Sequence, residues 1–537
     1  MLYAQCMRPS IDFSKISEIE KTPVVSTLIE IIEEAFATIQ QQSELIQLLK
    51  DEIARLKGQK PKPNIRPSKL EKDPKKKKKA SSRKRPGSQK REKTAELVIH
   101  EHIRVPPEII PEGSKLKDIQ PYNVQGLRIL PHNICYLLER WETPDGKSIV
   151  GKLPEHIQGH FDFTLKAYIL YQHNHCQVTQ PLLLEQLREW GLDISAGQLN
   201  RILTEQKDPF HNEKDEILST GLSVSDYINV DDTGARHNGK NGYCTHIGNE
   251  LFAWFQSTDS KSRINFLELL RIGQTDYVIN EDALQYMTNQ RLAKSTLRLL
   301  EDAPRKHFAD LTEWNAHLEN LKIDNHRHVK IATEGALIGS LLYHGLPKSL
   351  VIVSDDAGQF NILTHALCWI HAERTLNRLI APSEDKRAIL EEVRKQVWDF
   401  YKDLKAYKIS SDQTQKIELV NRFDDIFKQK TSYQMLNLAL NRIYLNRAEL
   451  LLVLDRPEIP LHNNLSENDI REYVKKRKVS GSTRSELGRR CRDTFTSLKK
   501  TCRKLGISFW NYLLDRLSNT NILPPLPQLI AQHSNAP

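Results

Sequence analysis

The sequence predicts an α/β fold in which a mixed sheet carries helical insertions, and three observations lead to this prediction. Short β-prone runs occur in two groups, within residues 225–257 and within residues 350–372. Long amphipathic segments of helical period separate and follow these groups. Two of the runs end in an aspartate: SDYINVD closes on Asp231, and LVIVSD closes on Asp355.

Length and composition bound the kind of protein. A chain of 537 residues suggests roughly two to four domains of about 100–200 residues each. It contains no run of about 18 apolar residues and no apolar signal segment at its start, so we expect neither a membrane span nor secretion. Seven scattered cysteines without a CxxC pair fit reduced intracellular thiols, and a cytoplasmic location is expected.

Positive charge is concentrated in two segments. Residues 61–93 hold 15 Lys and Arg against 3 Asp and Glu, and residues 471–504 hold 13 against 3, while the whole chain has a net charge of only +10. The remainder of the protein is therefore acidic. Two concentrated cationic segments indicate a polyanionic partner, most simply double-stranded DNA.

The N-terminal region predicts an oligomer followed by a flexible arm. Apolar residues between Leu28 and Leu56 alternate in steps of four and three, with Gln42 as a polar interruption, which predicts a coiled coil; a helix packed on its own core would show a similar pattern. Residues 58–95 are rich in Lys, Arg and Pro and have almost no large apolar residues, so we expect a disordered basic arm, either a DNA contact or a localisation signal.

Two small regions precede the sheet. Residues 96–155 alternate and are punctuated by Pro and Gly, which predicts a β-rich module. Residues 156–215 read as helical, and QPLLLEQLREWGLDISAGQLNRIL has the form helix, turn, helix. Ser195 would cap the second helix and leave Gln198, Arg201 and Thr204 facing outward, so Gln198 and Arg201 are candidate DNA contacts. An ordinary helical hairpin would show the same pattern.

The order of elements predicts a ribonuclease-H-like core. Three hairpin-linked strands, Ser225–Asp231, Gly242–Ile247 and Leu251–Ser257, are followed by a helix that Ser260 would cap and a further helical stretch over 272–345. Then come a strand ending at Asp355, a helix, a strand in ALCWIHA, a helical insertion and a helix that carries Glu467. In such a core the ends of the first and fourth strands and a late helix bring three carboxylates together.

Asp231, Asp355 and Glu467 are therefore the candidate catalytic and metal-binding residues. Three neighbouring carboxylates repel one another unless cations lie between them, and oxygen ligands favour Mg²⁺ or Mn²⁺. Two such ions about 3.5–4 Å apart can support in-line phosphoryl transfer. Asp232 and Asp356 stand one residue away, so which member of each pair is the ligand stays open; turn and capping roles for the aspartates also stay open.

The helix after Glu467 carries a row of cations. Arg471, Lys475, Lys476, Arg477 and Lys478 are the candidates for phosphate contacts that position DNA without reading its sequence. A solvated basic face would have the same composition.

These motifs together resemble the insertion-sequence-66 family of bacterial transposases, whose catalytic domain is of the DDE type with a ribonuclease-H-like fold. The resemblance rests on NVDDTGAR, VIVSDDAGQFN, CWIHAER and HNNLSENDIR, in that order, and covers most of the chain. It implies cleavage at the ends of an insertion element and joining of the freed 3′ hydroxyls to target DNA, with Asp231, Asp355 and Glu467 as the triad. Companion proteins of the same element and association with the bacterial nucleoid are further expectations.

Two other functions stay open on the sequence alone. The first is a ribonuclease-H-like nuclease that cuts without strand transfer, and the second is a non-catalytic DNA-binding regulator. The expected division of the chain is 1–57 coiled coil, 58–95 basic linker, 96–155 β-rich module, 156–215 helical DNA-binding region, 222–372 first part of the core, 373–458 helical insertion, 459–520 C-terminal helices of the core and 521–537 tail.

Overall fold

The structure is a computed structural model that describes residues 99–125, 127, 129–154 and 159–534, with separate positions between Thr27 and Leu49. Those separate positions are helical, but most of the predicted coiled coil and all of the predicted basic arm lie outside the described residues. The coiled coil and the arm therefore stay predictions. Among the described residues, no helix combines the length and the hydropathy needed to cross a membrane.

The chain divides into two compact units, residues 60–130 and the remainder. Within the first unit, the described residues from 99 onward are irregular and exposed, with a turn closed by the Ser114 amide on the Pro111 carbonyl. Strand pairing in the predicted 96–155 module is limited, among described residues, to one short hairpin in the second unit at Arg140–Glu142 and Ser148–Val150. The alternation of ELVIHEHIRV forms no strand over its described residues, 99–105.

The strands are β1 (Arg140–Glu142), β2 (Ser148–Val150), β3 (Tyr227–Gly234), β4 (Tyr243–Gly248), β5 (Ala253–Thr258), β6 (Tyr277–Val278), β7 (His307–Phe308), β8 (Val351–Ser354) and β9 (Thr364–Leu367). Within residues 159–534 the helices are α1 (Phe163–Asn174), α2 (Gln180–Glu189), α3 (Ala196–Thr204), α4 (Asp208–Val224), α5 (Arg263–Leu270), α6 (Glu281–Asn289), α7 (Lys294–Asp302), α8 (Leu311–Asn320), α9 (His326–Tyr343), α10 (Trp369–Asn377), α11 (Glu384–Tyr407), α12 (Gln413–Lys428), α13 (Gln434–Leu445), α14 (Arg447–Leu451), α15 (Asn464–Ser480), α16 (Glu486–Lys504), α17 (Phe509–Ser518) and α18 (Leu526–Ser534).

A five-stranded mixed sheet forms the centre, in the order β5-β4-β3-β8-β9. The pairs β3–β4 and β4–β5 are antiparallel, whereas β3–β8 and β8–β9 are parallel. The predicted order of three hairpin-linked strands followed by two further strands is observed, and these two strands run parallel to β3. The mixed α/β class is thus the observed one, and the strand order is consistent with a ribonuclease-H-like layout.

Helices cover both faces of this sheet. Side chains on successive strand residues point to opposite faces. In β8, Ile352 joins the core formed with α5–α9 and with α16 and α17, whereas Val351 and Val353 join the core formed with α10–α14. The helix α15 packs over β3 and β4 on the second of these faces through Ile470 and Tyr473.

The outer edge of β5 is closed by side chains of α16. An unpaired strand edge exposes backbone groups that other chains can pair with. The amides of Ala253, Phe255 and Ser257 donate to Thr501 Oγ1, Ser497 Oγ and Asp493 Oδ2 at 3.1, 2.9 and 2.7 Å. The acceptors are four residues apart along one helix face, and the donors are two apart along the strand. One helix thus takes the place of a sixth strand.

Several sequence predictions need correction here. The strand β3 does not end at Asp231 but continues to Gly234, because β4 pairs with it throughout. Residues 355–363 form a loop, not a helix, since Phe360 and Ile362 are buried at a spacing of two. Ser262, and not Ser260, caps α5 by accepting from the Asn265 amide.

The fifth strand is also shorter than predicted. It stops at Leu367, and Trp369 begins α10, because the Trp369 amide donates to the Leu461 carbonyl and its ring packs among Phe400 and Phe423. The segment CWIHAER therefore lies on a helix and not on a strand.

Candidate active site

Asp231 lies on β3, and Asp355 directly follows the neighbouring parallel strand β8. The strand pair β3–β8 is in the register Tyr227–Val351 to Asn229–Val353. Carrying this register two residues further aligns Asp231 with Asp355, the first residue after β8. Both then share the alternation of Asn229 and Val353, so they lie on the sheet face that α10–α15 cover.

The amino end of α15 is attached to the same part of β3. Asn463, the N-cap residue, does not cap its own helix with its side chain. Its Nδ2 instead donates to the Val230 carbonyl at 2.8 Å, and its Oδ1 accepts from Asn229 Nδ2 at 2.9 Å. Glu467 follows one turn later. These two hydrogen bonds bring the helix that carries the third acid to the position of Asp231.

The face of α15 that packs on the sheet is held by buried charges. His246, opposite Asp231 on β4, contacts Ser466 Oγ through Nδ1 at 2.6 Å and Asp469 Oδ2 through Nε2 at 3.2 Å. Asp469 also pairs with Lys500 and Lys504 of α16, each at 2.8 Å. Burial alone would raise the pKa of Asp469, but the His246 contact and the two lysines lower it. These contacts fix the helix on both sides of Glu467.

The electrostatics of Asp231 reflect this convergence. Burial raises the pKa of Asp231 to about 7, and the charge of Asp355 adds the next largest contribution, with Asp232 and Glu467 contributing further. A backbone hydrogen bond from the Asp232 amide, 2.8 Å from Asp231 Oδ1, acts in the opposite direction. All three candidate acids therefore interact through their charges, as like charges in one site do.

The neighbouring aspartates have other contacts. Asp356 is exposed and pairs with Arg442 at 3.0 Å, which directs it away from Asp231. Asp232 accepts from Gln359 Nε2 at 2.7 Å; burial raises its pKa, while Lys261 lowers it. This arrangement favours Asp355 over Asp356, and it favours Asp231 over Asp232 as the partner of Glu467.

Two arginines and a histidine lie close to Glu467. Its Oε1 lies 3.5 Å from Arg374 Nη2 and 3.7 Å from His371 Nε2, and its Oε2 lies 3.7 Å from Arg471 Nη2. Arg374 Nη1 is also 2.8 Å from His371 Nε2, and burial followed by the Arg374 charge lowers the pKa of His371. Both residues belong to the motif CWIHAER, in which the sequence analysis assigned no individual roles. Their spacing of three residues on a helix is the signal that would have placed them on one face.

The donor set suits a hard divalent cation. Among the described residues, no three or more His, Cys, Asp or Glu side chains already stand in a group that could hold a metal ion. Three carboxylates nevertheless supply the oxygen ligands that Mg²⁺ and Mn²⁺ favour. A cation between them would also relieve the repulsion that helps to raise the pKa of Asp231.

The predicted cationic row on α15 divides into two groups. Arg471, Lys475 and Lys478 are exposed. Lys476 contradicts the prediction, because it is buried and donates to the His173 carbonyl at 2.5 Å; burial lowers its pKa to about 7. Arg477 is half-buried and donates to the Gly234 carbonyl at the end of β3, so its guanidinium binds the sheet.

The helix-turn-helix segment is present as α2 and α3. Ser195 caps α3 as predicted, and Gln198 completes a capping box: its amide donates to Ser195 Oγ, and its Oε1 accepts from the Ser195 amide at 2.8 Å. Thr204 is buried, which corrects the prediction that it faces outward. Arg201 is exposed, while the side chain of Gln198 is engaged by the cap.

Comparison with known proteins identifies a family for part of the chain. The family model described as "Transposase IS66 family" matches residues 327–490, which include Asp355 and Glu467. The chain is 43% identical over 318 residues to a protein of Sinorhizobium fredii (strain NBRC 101917 / NGR234) named "Uncharacterized protein y4jO". The match spans 59% of this chain and 99% of that relative. The chain belongs to the IS66 family of transposases.

Proposed function

We propose that this protein is a DNA transposase that cuts the phosphodiester at the ends of its element and joins the freed 3′ hydroxyl to target DNA. Asp231, Asp355 and Glu467 form its DDE site. The single observation that carries the proposal is geometric: the β3–β8 register aligns Asp231 with Asp355, and the helix that carries Glu467 is hydrogen-bonded to β3 through Asn463. Membership of a transposase family supports the choice of DNA as substrate.

The three carboxylates would together hold two divalent cations, either Mg²⁺ or Mn²⁺. When bound, these ions supply activation of the attacking oxygen and stabilisation of the leaving oxygen. The chain itself sets the ligand positions: the β3–β8 register aligns Asp231 with Asp355, and Asn463 brings Glu467 to them. Arg374 and His371 both lie beside Oε1 of Glu467 and would orient its carboxylate.

A stripe of exposed cations leads away from Glu467 along α15. Arg471, Lys475 and Lys478 follow Glu467 at steps of four, four and three, so all lie on one helix face. At 1.5 Å per residue the stripe extends roughly 17 Å. We assign it to the DNA backbone, because lysine and arginine contacts to phosphates position a duplex without reading its sequence.

The assembly around the DNA is part of the same proposal. Two element ends require two active sites held together, and the predicted N-terminal coiled coil would pair the subunits. Arg201, exposed on α3, is the candidate DNA contact that remains in the helix-turn-helix segment. Companion proteins of the same element would join this complex.

Strand transfer tests the proposal most sharply. The full chain is incubated with Mn²⁺, a plasmid target and a labelled duplex that carries the DNA flanking this gene, either uncut or with pre-formed 3′ hydroxyl ends. The proposal predicts cleavage of the uncut duplex and joined product from both substrates. Cleavage without joining would identify a nuclease instead, and binding without either reaction would identify a regulator.

A further inference from the structure

The loop between β8 and β9 carries groups of the candidate site but contains no regular structure. It begins at Asp355, whose Oδ1 accepts from the Ala357 amide at 3.1 Å. Four residues later Gln359 donates to Asp232 at 2.7 Å. The position of this loop therefore determines where the carboxylate of Asp355 lies relative to β3.

Helix α5 holds this loop from the other sheet face. Arg263 Nη2 donates to the Gly358 carbonyl at 2.6 Å. One turn later, the ring of Phe266 packs edge-to-face on Phe360 with centroids 5.0 Å apart, and both rings are buried. Two contacts from one helix face thus hold the middle of the loop between Asp355 and β9.

Arg263 is itself held by one residue of α6 and one residue of α9. Its Nη1 donates to Tyr286 Oη at 3.0 Å and lies 3.4 Å from Glu334 Oε2. Tyr286 Oη donates to the same Glu334 oxygen at 2.7 Å. The Glu334 side chain is only 2% exposed, and a carboxylate buried to that degree requires partners of this kind.

We propose that Arg263 is a positioning residue for the active site. Its planar guanidinium connects the buried Glu334–Tyr286 pair on one side with the Gly358 carbonyl on the other, which a single ammonium group would not do. The segment between β5 and β8, through α5, α6 and α9, thereby sets the place of Asp355 and Gln359. This inference rests on the proposed function, because it assumes that Asp355 binds metal.

Arg271 supplies a matched control. It lies at the end of the same helix, is also half-buried, and donates to a backbone carbonyl, that of Asp276, at 2.7 Å. That carbonyl lies next to β6 and outside the Asp355 loop. Each variant removes a donor to a backbone carbonyl, and R263A also removes the partner of Tyr286 and Glu334. Of the two carbonyls, only that of Gly358 lies on the loop that carries Asp355.

The test compares R263A, R263K and R271A in the full chain. Calorimetric Mn²⁺ titration should show at least a tenfold loss of affinity for R263A and no change for R271A. R263K should restore less than half of the Mn²⁺ affinity that R263A loses, when the affinities are compared as logarithms. In the cleavage assay, R263A should lower kcat about tenfold and leave KM for the duplex unchanged, which a general loss of stability does not predict. If R263A does not fold, R263K is compared with R271A instead, and R263K should then bind Mn²⁺ more weakly than R271A.

Equal effects of R263A and R271A, or full Mn²⁺ affinity in R263A, would overturn the positioning role. D355N distinguishes this failure from failure of the proposed function. If D355N loses Mn²⁺ affinity while R263A keeps it, the metal site stands and the role of Arg263 is wrong. If D355N keeps full affinity, both the metal site and the inference built on it are wrong.

Discussion

Asn229 and Asn463 join the central sheet to the helix that carries the third acid. Asn229 Nδ2 donates to Asn463 Oδ1 at 2.9 Å, and both side chains are fully buried. Asn229 is two residues before Asp231, and Asn463 is four residues before Glu467. A hydrogen bond between neutral amides thus sets the distance between two acids that repel each other.

Replacing Asn463 with alanine should separate these elements. N463A leaves the Val230 carbonyl and the Asn229 amide group buried without their partner, at a cost of about 1–3 kcal/mol for each such group. We expect Tm to fall by several degrees and Mn²⁺ affinity to fall with it, measured by scanning fluorimetry and calorimetry. N464A, at the exposed neighbouring position, is the control and should change neither. Equal behaviour of the two variants would contradict the structural role of Asn463.

The acids themselves should be indispensable for catalysis. D231N, D355N and E467Q should each lower the rate of strand cleavage by about a thousandfold, since a metal ligand supplies several kcal/mol of transition-state stabilisation. D356N should retain nearly full activity, because Asp356 pairs with Arg442 at the surface. The cleavage assay on the flanking DNA measures all four. A D356N variant as inactive as D355N would reassign the ligand.

The raised pKa of Asp231 predicts a specific pH dependence of stability. A folded-state pKa of about 7, above the value of about 3.9 in an unfolded chain, means that the native state binds the extra proton. The stability of the wild type without metal should therefore fall as pH rises from about 4 to 7 through this group, and the loss should be complete above 7.

D231N removes this titration and leaves an amide of nearly the same shape. The Tm of D231N should exceed that of the wild type at pH 8, and the difference should shrink steadily toward pH 5. Scanning fluorimetry in chelator-treated buffer measures it. A difference that is constant over this range would show that Asp231 does not carry the shifted titration.

The two groups of cations on α15 should respond to salt in different ways. K475A and K478A should each weaken DNA binding and reduce the slope of log affinity against log salt by about one, since each removes one phosphate contact. K476A should leave the slope unchanged and lower Tm, because Lys476 is buried against the His173 carbonyl. Fluorescence anisotropy at several salt concentrations distinguishes these outcomes. A reduced slope for K476A would place it on the DNA.

Much of the core was predictable because its signals are local. The central sheet was predicted from the β-prone runs before Asp231 and Asp355 and from the turn signals between the first three strands. The start of α10 was not predictable in this way. Trp369 and Ile370 favour a strand by composition, and the helix begins there because Trp369 is buried against residues more than 30 positions away.

The helical period of the cationic row on α15 already indicated which of its side chains are buried, but the sequence analysis did not use it. Lys476 follows Tyr473 by three residues and Asp469 by seven, so it belongs to the buried face of α15 by helical period. Arg471, Lys475 and Lys478 share the face of Glu467. In contrast, the contact of Arg263 with Gly358 joins residues 95 positions apart, and no local pattern indicates it.

The proposed function depends on the convergence of three carboxylates on one metal site, and Mn²⁺ titration of the full chain measures that convergence. Wild type, D231N, D355N, E467Q and D356N are compared by isothermal calorimetry after their folding is verified by circular dichroism. We expect D231N, D355N and E467Q each to weaken Mn²⁺ binding at least tenfold, while D356N should bind Mn²⁺ as the wild type does. Equal Mn²⁺ affinity in all five folded proteins would contradict the proposed triad.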